Sequence, residues 1–204
     1  EARVVVAERL NTYIESQPIR LITNATGGKE LIHWSERDGW GQYYLYDYKG
    51  TLIRQLTQGE FVNTGIVGVD EKSRLMFVHA VGREKGEDPY FQHLYRVNLD
   101  TGDMKLVTPG NGSHSATMND KATFAVDNWS RIDMAPESVL YDSLGNKVMD
   151  LEKTDVSSLL AAGFKYPEAF TVKADDGVTD LYGVMYKPFD FDPAKRYPII
   201  EYVY

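Results

Sequence analysis

The chain has 204 residues with 30 acidic and 22 basic side chains, and its net charge of −8 disfavours nucleic acid, whose phosphates would be repelled, as a partner. A hydrophobic share of 43% is enough for a packed core, and the absence of cysteine excludes disulfides, zinc–thiolate sites and thiol nucleophiles. No stretch of the sequence approaches the roughly 18 consecutive apolar residues that a membrane-spanning helix needs.

Short β-prone runs separated by turn residues make up the first three quarters of the chain. Helical periodicity is almost absent there, and turn residues such as Lys49-Gly50 and Leu144-Gly145-Asn146 join neighbouring runs. The pattern predicts antiparallel strands paired in sequence order. The first predicted strands are Val4–Val6, Leu31–Trp34, Tyr43–Tyr46, Leu52–Leu56, Ile66–Val69 and Leu75–Val78.

A repeat with a period in the forties runs through these strands. A Leu-Tyr pair recurs at Leu45-Tyr46, Leu94-Tyr95 and Leu140-Tyr141, and similar hairpins occupy residues 46–57, 97–108 and 141–151. Four short strands per repeat are typical of a β-propeller blade, which can bury its faces only against neighbouring blades. The sequence predicts a mainly all-β chain with about three antiparallel four-stranded blades, and we expect the other blades of the ring before Glu1.

The pattern changes near residue 152, where a short helix is predicted. Asp155 is a candidate N-cap and Gly163 a candidate C-cap for a helix over residues 156–162.

Further strands are predicted at Ala169–Val172 and Leu181–Tyr186, after that helix. The last run, Pro198–Tyr204, is apolar enough for a central strand that is buried on both faces. The sequence therefore predicts two domains, with blades over residues 1–154 and the start of a second domain over residues 155–204.

Local catalytic motifs are missing from the sequence. It contains no Gly-x-Ser-x-Gly nucleophile elbow, no His-Glu-x-x-His and no Walker loop, and no cofactor or metal is predicted. The histidines lack the spacing of metal ligands, which favours structural or surface roles; they are His33, His79, His93 and His114.

Two further features have some of the residues of a binding site. The carboxylates of Glu84, Glu87 and Asp88, and of Asp175 and Asp176, could hold a cation or an amine, but their Gly- and Pro-containing surroundings predict solvated loops. The segment Gly110–Ser115 begins like a dinucleotide-binding loop, yet it lacks the third glycine and the following helix, so we interpret it as an inter-strand loop.

Several segments, found in order along the chain, carry a resemblance to a known family. They are Trp34–Trp40, Gly82–Tyr90, His93–Leu99, Tyr166–Gly177, Leu181–Pro188 and Phe191–Tyr204. The last three resemble the junction between propeller and hydrolase in the dipeptidyl peptidase IV-like serine peptidases of the prolyl oligopeptidase family, and the first three resemble their later blades. The resemblance implies a partial propeller followed by the first strands of an α/β-hydrolase domain.

The resemblance also implies a function. Members of the family are serine exopeptidases that release N-terminal dipeptides, often Xaa-Pro, by acyl-enzyme hydrolysis. It places the family's oxyanion-hole tyrosine at Tyr204 and an aromatic residue that contacts substrate at Tyr13, with Ile14 where some relatives carry a basic residue. The Ser/Asp/His triad is expected after Tyr204, so the chain by itself is expected to be inactive.

Partners and location follow from the same resemblance. The expected partners are peptide substrates with a free N-terminus and a second copy in a homodimer, and the expected location is periplasmic or secreted. Two alternatives stay open: a non-catalytic propeller that binds proteins, and a related oligopeptidase or acylaminoacyl peptidase. The second alternative would lack the pair of acidic residues that binds the substrate amine, and that pair is expected before Glu1.

Overall fold

A computed structural model describes residues 2–203 of the chain, and antiparallel strands dominate them. Three four-stranded sheets follow one another, each with its strands in sequence order. The first sheet consists of β1 (Arg20–Thr23), β2 (Lys29–Ser35), β3 (Gln42–Asp47) and β4 (Leu52–Gln55). The second consists of β5 (Val62–Asp70), β6 (Leu75–Val81), β7 (Gln92–Asn98) and β8 (Met104–Leu106). The third consists of β9 (Ser113–Met118), β10 (Phe124–Ser130), β11 (Glu137–Asp142) and β12 (Lys147–Lys153).

The outer hairpin of each sheet turns at the same kind of residue. Asp47, Asn98 and Asp142 end the third strands, and the side-chain oxygen of each accepts hydrogen bonds from two backbone N–H groups of the turn. A glycine with positive φ follows in each turn, at Gly50, Gly102 and Gly145. The predicted repeat of the outer hairpins is therefore confirmed.

The Leu-Tyr pair is a poorer marker of the repeat than the turn residue. Leu45-Tyr46 and Leu140-Tyr141 directly precede Asp47 and Asp142, whereas two residues separate Leu94-Tyr95 from the turn residue Asn98. The interpretation of the three pairs as equivalent positions is thus wrong for the second sheet. Alternate positions along a strand all face the core, so an apolar or aromatic pair can occur at several points of a strand.

Apolar side chains of the second sheet point alternately to its two faces. Met76 and Val78 belong to a buried cluster shared with Leu45 of the first sheet, while Phe77 belongs to a second cluster that contains Ala125 of the third. Burying each large side chain contributes about 1.5–3 kcal/mol. The three sheets pack face to face as successive propeller blades, and the predicted mainly all-β fold is confirmed.

A further apolar cluster covers the opposite face of the first blade. Leu31, Tyr44 and Tyr46 are buried there, and Val5 and Val6 pack on them. The strand predicted at Val4–Val6 does not form, because Val5 and Val6 contribute side-chain packing to the blade without pairing in its ladder and Val4 is exposed.

One short helix, α1 (Ser157–Ala161), lies within the predicted range. Asp155 was predicted as its N-cap, but the N-cap is Val156, and Asp155 accepts a hydrogen bond from the Ser157 N–H at 2.9 Å from one position earlier. Gly163, with φ of +94°, and Phe164 donate N–H hydrogen bonds back to the last turn, so the helix ends in a Schellman motif.

Two strands follow the helix and pair antiparallel as β13 (Glu168–Lys173) and β14 (Asp180–Met185), as predicted. The run Pro198–Val203 forms no strand within the described residues, so the predicted strand is corrected there. Ile200 is 96% exposed because no neighbouring strand in the described part of the chain pairs with this run or covers it.

The chain divides into two compact units. One ends at Lys153, and the other starts at Thr154 and also includes the short stretch Ile132–Ala135. Among residues 2–203, no helix is long and apolar enough to cross a membrane.

Candidate functional site

The loop that carries Tyr13 is the exposed part of the first unit that the sequence marks for substrate contact. Tyr13 is 83% exposed. Within residues 2–203, the structure shows no hydrogen bond or ion pair to residues 9–19, which connect Glu8 to the start of β1 at Arg20. The phenol ring of Tyr13 is therefore free to contact a ligand.

The upstream end of the loop is fixed by Glu8. Its carboxylate accepts hydrogen bonds from the Ser35 hydroxyl and, at 3.1 Å, from Nε of Arg37. Nε2 of His33 lies 3.5 Å from the other carboxylate oxygen, within ion-pair distance but without a hydrogen bond. The Glu8 side chain is only 13% exposed, which strengthens these charge-assisted contacts.

Arg37 connects this anchor to the aromatic face of the first blade. Its guanidinium donates to the Tyr46 hydroxyl at 2.7 Å and lies 4.3 Å from the centre of the Tyr44 ring. Burial, together with the charge of Asp38, raises the pKa of Tyr44 to about 12, so this phenol stays protonated. Burial opposes the charge of Arg37, but the Tyr46 hydrogen bond and the nearby Glu8 carboxylate raise the pKa of Arg37 above its ordinary value.

We call residues 3–8 the N-terminal strap. At its upstream end, Arg3 donates hydrogen bonds to the backbone carbonyls of Tyr48 and Lys49, in the turn of the outer hairpin. A Cβ at Gly50 in that turn would lie 2.1 Å from the carbonyl oxygen of Val5, so only glycine allows the strap to lie this close. The strap is thus attached to the first blade at both of its ends.

A buried polar network joins the second and third blades. Nε2 of His93 lies 2.9 Å from Glu87, the His93 and His114 rings lie 4.6 Å apart, and Nδ1 of His114 lies 2.6 Å from Asp127. The His114 ring also stacks on Trp129 with ring centres 5.2 Å apart. Because His93 and His114 are almost completely buried, the network cannot contact a substrate, and its role is to hold the blades together.

Some of the carboxylates that were predicted to lie in solvated loops contact other side chains. Glu84 accepts a hydrogen bond from the Tyr95 hydroxyl at 3.0 Å and pairs with Arg83, and Glu87 pairs with His93. The prediction of a solvated loop is therefore wrong for Glu84 and Glu87, because each faces a buried side chain of β7. Sequence spacing gave no signal for these pairs, which depend on how the loop folds back.

Asp88 and Asp176 bind backbone N–H groups of their own turns. Asp88 accepts a hydrogen bond from the Tyr90 N–H, and Asp176 accepts hydrogen bonds from the N–H groups of Val178 and Thr179. The hydrogen bonds from Thr179 and Val178 lower the pKa of Asp176. Within residues 2–203, no three acidic or histidine side chains are arranged to hold a metal ion.

Two further sequence predictions can be located on the structure. Gly110–Gly112 form an inter-strand loop, as predicted, whereas Ser113–Ser115 belong to β9, so the prediction of a loop is wrong for the second half of the segment. Tyr204, the predicted oxyanion donor, lies outside the described residues, so the structure locates only Tyr13 of the two predicted site residues.

Comparison with known proteins gives a consistent set of similarities. Residues 1–136 match the family described as "Dipeptidyl peptidase IV (DPP IV) N-terminal region". Human dipeptidyl peptidase 8 is 28% identical over 173 residues, which cover 78% of this chain and 19% of that protein. Dipeptidyl peptidase 4 of Arthroderma otae is 26% identical over 189 residues, which cover 88% of this chain and 23% of that protein.

A solved structure gives the same picture. The crystal structure of Porphyromonas gingivalis dipeptidyl peptidase 4 is 26% identical with a TM-score of 0.69, and the match covers 87% of this chain and 24% of that one. The chain therefore spans about a fifth to a quarter of the length of these relatives.

Proposed function

This chain belongs to the dipeptidyl peptidase IV N-terminal region family, and from that membership we propose that it is the propeller portion of a serine exopeptidase. The enzyme would release N-terminal dipeptides of the Xaa-Pro type from peptides with a free amino terminus. The observation that carries the proposal is the match of residues 1–136 to this family, in a chain whose relatives are dipeptidyl peptidases.

In this proposal the chemistry proceeds in two steps. A serine hydroxyl from outside this chain attacks the carbonyl carbon of the second substrate residue and passes its proton to a histidine, which gives it to the amine of the third residue as that amine leaves. Water then hydrolyses the acyl-enzyme ester and releases the dipeptide. The Ser/Asp/His triad belongs to parts of the enzyme beyond this chain, so the chain alone is proposed to be inactive.

Tyr204 is proposed to donate a hydrogen bond to the oxyanion of the tetrahedral intermediate. A phenol suits this role because its ordinary pKa near 10 keeps it protonated at neutral pH. Such a donor typically lowers the barrier by roughly 3–4 kcal/mol.

The blades would act as a wall that admits only short or unfolded peptides to the catalytic centre, and Tyr13 would contact the substrate. The exposure of Tyr13 on an otherwise unbonded loop supports that role. The enzyme is further proposed to be a homodimer that is periplasmic or secreted.

Hydrolysis of a Gly-Pro chromogenic amide by the full-length protein tests the proposal. An N-terminally blocked version of the same amide and the isolated 204-residue chain are the controls. We expect activity only from the full-length protein and only on the free amine. Cleavage of the blocked substrate would instead favour an oligopeptidase or acylaminoacyl peptidase, and no cleavage of either substrate would favour a protein-binding propeller.

A further inference from the structure

The N-terminal strap (residues 3–8) and the loop that carries Tyr13 (residues 9–19) are continuous in sequence, but only the strap makes hydrogen bonds to the first blade. Residues 3–8 are bound to the first blade, whereas residues 9–19 have no hydrogen bond or ion pair within the described part of the chain. Glu8 is the last bound residue before the loop.

We propose that Glu8 is a positioning residue for Tyr13: by binding the first blade, it fixes the start of the loop and so limits where the phenol ring can meet a peptide substrate. The inference rests on the proposed function, because it assigns a purpose to the substrate contact of Tyr13. Glu8 itself touches no substrate in this scheme.

The binding partners of Glu8 are also hydrogen-bonded to each other and to the blade. The Ser35 hydroxyl oxygen accepts hydrogen bonds from the backbone N–H of Arg37 at 3.1 Å and from its Nε at 3.0 Å. With both lone pairs occupied, the hydroxyl proton of Ser35 is left to point at Glu8. Arg37 is itself held by its hydrogen bond to Tyr46, so the site for the carboxylate is rigid.

Chain geometry gives the size of the effect. Tyr13 is five residues after Glu8, which confines it to within about 17 Å at ~3.4 Å per extended residue. If Glu8 is released, the nearest upstream packing contact is Val6, and seven residues allow a reach of about 24 Å. Because the start of β1 at Arg20 also tethers the loop, the volume open to Tyr13 then grows by at most about threefold, and its effective concentration at the substrate falls by at most the same factor.

Steady-state kinetics of the full-length protein test this on the Gly-Pro chromogenic amide. For Glu8→Ala we expect KM to rise by up to about threefold with kcat unchanged, since substrate is held less well but the reacting groups are intact. The matched control is Glu15→Ala, the same change at an exposed glutamate of the same loop, and it should leave both constants unchanged. In a Tyr13→Ala background, Glu8→Ala should raise KM no further, because both changes remove one interaction.

Trypsin cleavage after Arg9 provides a readout that does not depend on activity. A protease must bend the residues on both sides of the bond into its own cleft, and a bound Glu8 resists this. We expect faster cleavage after Arg9 in Glu8→Ala but not in Glu15→Ala. Equal cleavage rates in all three proteins would overturn the positioning role.

The two readouts separate this inference from the function on which it rests. An unchanged KM in Glu8→Ala, alongside a raised KM in Tyr13→Ala, would also overturn it. If Tyr13→Ala itself leaves KM unchanged, Tyr13 does not contact the substrate. Glu8 then has no substrate contact to position, and the positioning role fails even if the cleavage rates show that Glu8 holds the loop.

Discussion

Nδ1 of His114 lies 2.6 Å from Oδ2 of Asp127, and neither side chain has any solvent exposure. Nε2 of the same ring lies 3.0 Å from the carbonyl oxygen of Gly110, which can only accept a hydrogen bond. Nε2 is therefore the donor toward Gly110, and Nδ1 makes the short contact with Asp127 on the other side of the ring. This pair fixes β9 to β10 at the boundary with the second blade.

Replacing Asp127 tests how much the pair of His114 and Asp127 contributes to the free energy of unfolding. We expect Asp127→Ala to lower the free energy of unfolding by about 3–5 kcal/mol, because it leaves a buried histidine without its partner. Urea denaturation measures the change. Asp120→Ala removes an exposed aspartate close by in sequence and should change the free energy by less than about 0.5 kcal/mol. Equal effects of the two substitutions would contradict a structural role for the pair.

Gly41 is predicted to tolerate no side chain. A Cβ at this position would lie 2.4 Å from Cζ2 of Trp34, and the indole cannot move away easily because its N–H donates to the carbonyl of Asn63 at 2.9 Å. Gly41→Ala should therefore destabilise the protein by about 1–3 kcal/mol. The measurement is the shift of the melting temperature.

Gly65 provides the matched control for that substitution. It lies in β5, and a Cβ there would meet no atom within 4 Å. Gly65→Ala should leave the melting temperature unchanged or slightly higher, since alanine restricts the unfolded chain. A similar loss of stability in both variants would show that the Trp34 contact is not the cause.

His79 makes stability depend on pH near neutrality. Burial lowers the pKa of His79 below its ordinary value near 6.5. A hydrogen bond with the backbone of Ala116 and the charge of Asp127 act in the opposite direction but do not cancel the effect of burial on this pKa. Below pH 6.5 the unfolded chain therefore binds more protons at this site than the folded chain does. Stability from His79 is thus fully present above pH 6.5 and is lost as pH falls toward the lowered pKa.

The check is the free energy of unfolding of the wild type and of His79→Gln at pH 7.5 and pH 5. The drop from pH 7.5 to pH 5 should be smaller in the variant. Between pH 7.5 and pH 9 the difference between the two proteins should stay constant, which controls for the substitution itself. Parallel curves over the whole range would contradict the role of His79.

Asp47 makes the first outer turn sensitive to acid. Hydrogen bonds, first of all from the Thr51 backbone N–H, lower the pKa of the Asp47 carboxyl below its ordinary value near 3.8. The unfolded chain therefore takes up a proton first as pH falls, and the stability that the carboxylate contributes is lost as pH falls through the lowered pKa. Asn98 performs the same turn in the second blade with a neutral amide oxygen.

The two turns provide reciprocal substitutions. Asp47→Asn should keep the turn at pH 7 and reduce the fall in melting temperature between pH 7 and pH 3, whereas Asn98→Asp should increase that fall. Asp47→Ala should lower the melting temperature at pH 7, because both turn N–H groups lose their acceptor. If Asp47→Asn and Asn98→Asp respond alike to acid, the carboxylate is not the source of the sensitivity.

The blades were predictable because their signals are local. An Asp or Asn followed by glycine marks each outer hairpin within a few residues of sequence, and the alternation of apolar side chains marks each strand. The strands that failed are apolar runs whose structure depends on distant partners. Val5 and Val6 pack on the first blade without pairing and Val4 is exposed, while Pro198–Val203 has no strand beside it in the described residues.

The candidate site was less predictable for the same reason. Tyr13 was found only through resemblance, and nothing in its surroundings marks it. The anchor at Glu8 depends on Ser35 at the end of β2 and on Arg37 just after it, 27 and 29 positions away, and the pairing of Glu87 with His93 depends on the fold of one loop. Side-chain contacts of this kind are set by tertiary packing, which a single sequence does not encode in any short pattern.

Tyr204 is the final prediction, and it is tested in the full-length enzyme. Tyr204→Phe removes only the phenol hydroxyl, so we expect kcat for the Gly-Pro amide to fall by about 10²–10³ with KM nearly unchanged, because an oxyanion donor acts in the transition state. Tyr202→Phe removes the hydroxyl of an exposed tyrosine two residues earlier and should leave kcat unchanged. Equal melting temperatures of both variants would exclude unfolding as the cause. A Tyr204→Phe enzyme with the kcat of the wild type would contradict the oxyanion assignment and return Tyr204 to the role of an ordinary aromatic residue.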